Sequence, residues 1–333
     1  MDPMRRRAVT IITAAIVLLA LPATAGAVTD AERADAGAAY IAAQQRPNGS
    51  VPAFSPIGST SDAVLAFVAA GGQRSAIRDA LRFLRAQVRK GHASTVGLRA
   101  KVVQAVVAAG RDARSFGGEN LVRAIRSRIR DDGHIGRSAV FDHALAMLAL
   151  EAAGLRPSRA VAGWLLDAQC PVGGWPYDAP YDAGADDRSC FDGTKDDFFT
   201  ADTNTTAYAV MALEHGARGA YSTNPFAFFR DARDATHGGW EYSPGFGTDT
   251  NSTALVIQAY ASADRSTPSG GRVALRALQP DIACGGWAYS YEGDTPGPAN
   301  VGATIAAVPA VLRLAFPLVP GGGSGAPRTS RGC

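Results

Sequence analysis

Arg159-Ala160-Val161-Ala162-Gly163-Trp164-Leu165-Leu166-Asp167-Ala168-Gln169-Cys170-Pro171-Val172-Gly173-Gly174-Trp175 contains a helical run, a glutamine and a Gly-Gly-Trp turn in one stretch. Glycines of the same turn type recur at Gly49, Gly91, Gly133, Gly173, Gly238 and Gly285, at intervals of 42, 42, 40, 65 and 47 residues. Self-similarity at such a period marks stacked supersecondary units that bury their apolar faces against one another. Fainter copies keep Tyr40, Gln45 and Gly49 in the first unit, and Phe83, Gln87 and Gly91 in the second.

Each unit reads as two helices around the turn. The first helices span about 30–45, 75–89, 117–130, 157–169, 224–235 and 270–280; the second span about 60–70, 95–109, 137–153, 203–215, 250–262 and 300–314. Apolar residues fall at helical spacing, as in Leu81, Leu84 and Val88. The second helices are Ala-rich and almost unbroken in hydrophobicity, which predicts an inner, buried ring inside an outer one. Gly71, Gly110, Gly154 and Gly216 are their expected stops. Strand signals are nearly absent. The expected fold is all-α, a six-hairpin α/α toroid.

The ends read differently. Arg5-Arg6-Arg7, the apolar run Ala8 to Leu21 and Ala25-Gly26-Ala27 predict a secretory signal peptide over residues 1–27, hence an extracellular protein. Residues 28–319 form the toroid, and residues 320–333 read as a flexible Gly-rich tail. Val301–Pro320 is apolar, but Pro309, Arg313 and Pro317 favour a buried helix over a membrane span. The formal charge is +3, and loss of three Arg and one Asp with residues 1–27 leaves +1. Such near-neutrality points to neither nucleic acid nor an anionic membrane. Cys170 and Cys190 flank one loop and are expected to pair, while Cys284 with Cys333 is a weaker expectation.

The irregular interval of 65 residues places an insertion at about 176–201. It carries Asp178, Asp182, Asp186, Asp187, Asp192, Asp196 and Asp197. These carboxylates could gather calcium, but they lack the ordered spacing of a calcium loop, so solvated charge is the favoured reading. The histidines show no metal spacing, and neither metal nor cofactor is expected.

Three late turns share Gly-Gly-Trp-x-Tyr. Gly173, Trp175, Gly238, Trp240, Gly285 and Trp287 read as structural turn residues. Tyr177, Tyr242 and Tyr289 are candidates for a cavity rim. Two inner helices begin alike, with Asp202-Thr203-Asn204 and Asp249-Thr250-Asn251. Helix capping explains these residue types. The sharper reading is a polar collar in which Asp202, Asn204, Asp249 and Asn251 meet a ligand. Asp62 and Asp142 hold similar positions, and His143 beside Asp142 reads either as a satisfied rim histidine or as half of an acid/base pair.

These motifs resemble the prenyltransferase/squalene-oxidase repeat superfamily of α/α toroids. Gln169, Gly173 and Trp175 match the Q-W repeat of squalene and hopene cyclases, and Gly238 to Ala254 is similar to secreted bacterial repeat proteins related to the α domain of cobalamin carriers. Cyclases protonate substrate through a D-x-D-D-T-A motif; on Asp202–Ala207 its central acid becomes Asn204 and the next becomes Thr205. An amide cannot serve as that strong acid. The prenyltransferase zinc set is not matched, because Asp281 and Cys284 are spaced differently. The expectation is therefore a non-catalytic module for a small-molecule or glycan ligand, sited at the turn end of repeats four to six. The alternatives are a terpenoid cyclase-like or polysaccharide-active enzyme, with Asp142, Asp202 and Asp249 as candidate acids, and a structural spacer.

Overall fold

The computed structural model describes residues 27–137, 139–179, 190, 200–216 and 219–318. The expected signal peptide, the Gly-rich tail, the Cys284–Cys333 pairing and most of the acidic insertion lie outside these residues.

Among the described residues twelve helices alternate between two rings. The outer helices are α1 (Asp30–Ala43), α3 (Arg74–Arg89), α5 (Leu121–Arg126), α7 (Arg159–Asp167), α9 (Pro225–Asp231) and α11 (Ser269–Ala277). The inner ones are α2 (Pro56–Ala70), α4 (Val96–Ala108), α6 (Val140–Ala152), α8 (Thr203–Gly216), α10 (Thr250–Ser262) and α12 (Val301–Val311). Each inner helix packs on the next, and α12 packs on α2, so the ring closes. The fold is the expected all-α toroid.

Local chemistry explains both rings. Inner helices are buried nearly all round: on α6 every residue from His143 to Leu150 is buried. Helix α3 is amphipathic, with Ala76, Ala80, Leu84 and Val88 inward and arginines outward. Caps set the starts. Ser55, Thr95, Asp249 and Asn300 each accept a backbone N–H of the first turn of α2, α4, α10 and α12. Asp202 does the same for α8, taking the Thr205 N–H at 2.7 Å. Gly71, Gly110 and Gly154 stop α2, α4 and α6 with positive φ, as expected, whereas Asp264 and Arg313 take left-handed backbone after α10 and α12.

The repeated turn is a hydrogen-bonded staple spanning three units. The Trp175, Trp240 and Trp287 indoles are fully buried and donate to Leu165, Phe229 and Leu275 carbonyls of their own outer helices at 2.6, 2.6 and 2.8 Å. Burying each indole contributes at most about 4–6 kcal/mol. Their backbone N–H groups donate to Thr206, Thr253 and Thr304 of their own inner helices. The Gln169 amide donates to Gly173 and onward to Thr223, in the following repeat. Gln279 does the same to Gly285 and to Arg33 of α1, which closes the circle. Asp30 reinforces this seam through Arg272 and Arg276, at 3.0 and 2.7 Å.

Short ladders supplement the helices. Trp175–Pro176 (β1) pairs antiparallel with Ala201–Asp202 (β2), so the acidic insertion leaves and rejoins the ring through one neck. In repeat six, Trp287–Ala288 (β3) pairs with Ala299–Asn300 (β6), enclosing the hairpin of Tyr291–Glu292 (β4) and Thr295–Pro296 (β5). Cys170 and Cys190 are disulfide-bonded, tying the insertion to turn four. Closing such a loop contributes roughly 3 kcal/mol.

Candidate functional site

A cavity of about 210 Å³ lies on the ring axis. Each inner helix supplies residues from its first two or three turns, so the cavity belongs to the turn end of the molecule. Phe54, on the loop before α2, is 81% exposed and stands against Gly302 at the mouth. From the other side, Phe316 lines the cavity; it belongs to the segment that follows α12. That segment is held by Gln258, which donates to the Leu314 carbonyl at 2.8 Å, and by the Tyr208 ring, parallel to Phe316 at 6.4 Å.

The polar wall consists of Asp62, Lys101, Asn204, Asn251 and Gln258. Lys101 Nζ lies 2.5 Å from Asp62 Oδ2. Burial works against the ammonium, but the Asp62 carboxylate outweighs it and holds Lys101 above its ordinary range. Tyr208 beside them is pushed up to about 12, mainly by burial. The Oδ1 atoms of Asn204 and Asn251 are buried without a hydrogen-bond partner. A buried amide oxygen without a partner costs about 1–3 kcal/mol, which a donor reaching it would offset.

The Asp-Thr-Asn pattern thus divides its labour. The Asp caps the helix and the Asn, two positions on, lines the cavity. Gly302 occupies the matching position on α12. Asp202 and Asp249 are buried away from the cavity wall, and burial raises both carboxyls to about 6 despite the N–H groups they accept. Asp142 lies on a neighbouring groove with Thr95 and Arg128; burial raises its carboxyl, and Gly97 N–H partly offsets that.

The three tyrosines stand outside the cavity wall. Their backbone carbonyls staple each turn to the preceding inner helix: Tyr177 accepts from Phe141, Tyr242 from Thr203, and Tyr289 from Thr250, at 3.3, 3.1 and 2.8 Å. The Tyr177 ring stacks on Phe141 at 5.5 Å, and Tyr289 is 43% exposed on the turn end. His143 is no acid/base partner of Asp142. Its Nδ1 accepts the Ile135 N–H and its Nε2 donates to the Val161 carbonyl, both at 3.0 Å. It does for turn three what Thr206 does for turn four.

Lys101, Phe54, Phe141, Tyr208, Gln258 and Phe316 also line the cavity, and none of them belongs to a repeated motif. Lys101 follows Arg99 on an inner helix whose other residues are mainly apolar, and that is the signal, since buried lysines are almost always paired. Among the described residues no group of His, Cys, Asp or Glu is placed to hold a metal ion, and no helix is long and apolar enough to cross a membrane.

The chain matches no protein-family profile and no curated protein at the level of sequence. Solved structures are similar to it in fold. An unsaturated glucuronyl hydrolase specific for heparin aligns with a TM-score of 0.59 at 13% identity, over 85% of this chain and 96% of that one. The GH76A α-1,6-mannanase from Salegentibacter sp. HEL1_6 aligns at 0.56 and 12% identity, over 85% and 97%. A type II terpene cyclase variant from Scytonema, in complex with merosterolic acid A, aligns at 0.55 and 13% identity, over 85% and 96%. At such identities the likeness is one of fold, that of an α/α toroid. Function must come from the site.

Proposed function

We propose that this toroid is an exported, non-catalytic binding module whose axial cavity takes a small hydroxyl-rich ligand, either free or as the end unit of a glycan. The observation that carries this reading is the pair of buried, unpartnered amide oxygens of Asn204 and Asn251 on the wall that also bears the Asp62–Lys101 pair. Amide oxygens, a carboxylate and an ammonium offer both acceptors and donors to hydroxyl groups, while Phe54, Phe141 and Phe316 offer apolar surface to a ring face. At about 210 Å³ the cavity is below the roughly 300–1,000 Å³ of sites for drug-sized ligands, which limits the occupant to one small unit. Among the described residues Asp62 is the one carboxylate on this wall, and Lys101 is paired with it. Glycosidic cleavage needs two carboxyl groups about 5–10 Å apart, so the wall favours binding.

Native mass spectrometry of protein purified from its own host tests the reading. A retained small ligand on the wild type, lost from Asn204→Ala/Asn251→Ala, supports it. Equal retention by both proteins removes the cavity assignment.

One observation favours a second, enzymatic reading: burial raises the carboxyls of Asp142 and Asp202, and both lie close enough to the Tyr177 phenol to raise it too. Turnover of a glycan by the wild type, abolished in Asp142→Asn, would support an enzyme. Unchanged turnover in Asp142→Asn, Asp202→Asn and Asp249→Asn would remove all three candidate acids.

A further inference from the structure

The near-neutral total conceals a steep asymmetry. Between Arg74 and Arg137 the chain carries fifteen Lys and Arg against five Asp and Glu, a net +10, so the remainder carries a net −7. Most of this positive charge faces outward on two adjacent units. On α3, Arg74, Arg78, Arg82, Arg85 and Arg89 follow one another at intervals of four, four, three and four residues. They form a single exposed stripe along the helix. The lone acid of α3, Asp79, is bound to Arg82. The next outer unit continues the surface with exposed Arg114, Arg123, Arg126, Arg128 and Arg130. The two are packed together, since Gly117 lies against Val88 and the Arg85 guanidinium sits over the Phe116 ring at 5.2 Å.

This surface also leads inward. A groove of about 350 Å³ is lined by Arg128 and Arg137 on one side and by Thr95 and Asp142 on the other. Asp142 is near enough to Lys101 to feel its charge, and Lys101 is on the axial cavity. Arg128 and Arg137 therefore carry the cationic surface of repeats two and three into this groove, which Asp142 shares.

We infer that this face and groove bind an anionic polysaccharide, whose carboxylate or sulfate groups pair with the arginines. Guanidinium forks match carboxylate and sulfate oxygens bidentately, which lysine does not. A flexible, thin chain can follow the surface from α3 over α5 and into the groove. Duplex nucleic acid is too stiff for that path, with a persistence length of about 150 base pairs. Among the described residues this face exposes no Phe, Tyr or Trp ring on which single-stranded bases would stack, and Ile129 is its one exposed large apolar side chain, too little for insertion into a bilayer.

The test is titration of the whole folded chain with dextran sulfate, polygalacturonate and neutral dextran of matched length. Both polyanions should bind, with affinity falling steeply as salt rises, and neutral dextran should not. Arg78→Gln/Arg82→Gln/Arg126→Gln/Arg128→Gln should weaken polyanion binding at least tenfold with an unchanged melting temperature, because all four side chains are exposed. Asn204→Ala/Asn251→Ala should keep polyanion affinity within about threefold while losing any small ligand retained from the host, which separates failure at the cavity from failure at the face. Equal binding of neutral dextran, or a four-arginine variant that binds like wild type, overturns the inference. So does binding of duplex DNA or of phosphatidylserine vesicles as tight as that of the polysaccharides at equal charge concentration.

Discussion

Lys101 Nζ lies 2.5 Å from Asp62 Oδ2, joining α4 to α2 at the wall of the axial cavity. The two positions are 39 residues apart, about one repeat. The pair is a link between neighbouring inner helices as well as a feature of the site. Breaking a fully buried pair costs about 3–5 kcal/mol; these side chains are 19% and 29% exposed, so solvent screening reduces that to about 1–3 kcal/mol. Asp62→Asn should lose that much in urea denaturation. Lys101→Met/Asp62→Leu should lose less than the sum of its single variants, because it leaves no orphaned charge. Strict additivity would deny the coupling.

The contrast with Asn204 and Asn251 shows what was readable beforehand. The helices and turns were visible because glycine, tryptophan and apolar residues repeat at fixed intervals. The two asparagines were visible because two units spell the same Asp-Thr-Asn. Lys101 has no counterpart in the other units, so comparison of repeats does not reach it, and Asp62, read beside Asp142 as a helix-entry acid, gives no sign of its partner. Phe316 follows the last helix, where no periodicity reports on position. The tyrosines repeat as well, yet none lies on the axial wall: their backbone carbonyls staple the turns, and Tyr242 lines a separate pocket with Thr203 and Phe228.

His143 gives a pH signature. Burial, with His134 nearby, lowers its pKa to about 3, so the fold keeps it neutral where the unfolded chain takes up a proton at about 6.5. A lowered histidine contributes stability above the unfolded value and loses it as pH falls toward 3. The slope is about 1.4 kcal/mol per pH unit in that window. His143→Thr, copying Thr206, should be less stable at pH 7, and its deficit should shrink by that slope between about pH 6 and 4. Parallel stability profiles for the two proteins would sink the assignment.

Asp202 behaves oppositely. Its carboxyl is raised to about 6, chiefly by burial, from an ordinary 3.8. Its stabilising contribution is therefore present below about 3.8 and is lost as pH rises through 6. Asn300 caps α12 with an amide oxygen, accepting from Ala303 at 3.0 Å, so an amide suffices geometrically at this position. Asp202→Asn should be about 1–3 kcal/mol more stable than wild type at pH 8 and no more stable at pH 4. Equal effects at both pH values would mean that the carboxyl is not desolvated. Ligand retention by this variant would also separate capping from a role in the site.

Gly285 lies against the backbone of Ala36 on α1, with φ at +83°, and so carries the last turn onto the first helix. A methyl group there would overlap the Ala36 carbonyl, and the backbone conformation would be strained as well. Gly91 has nearly the same φ, +74°, but nothing stands within 4 Å of where its Cβ would be. Conformation alone costs about 1 kcal/mol, so Gly91→Ala should lose about that much. Gly285→Ala adds a clash with fixed backbone and should lose about 3 kcal/mol or more. Because Gln279 and Arg276 hold the same seam, hydrogen exchange in Gly285→Ala should rise first in α1. Comparable losses in the two variants, or protection of α1 unchanged in Gly285→Ala, would show that the ring does not close through this contact.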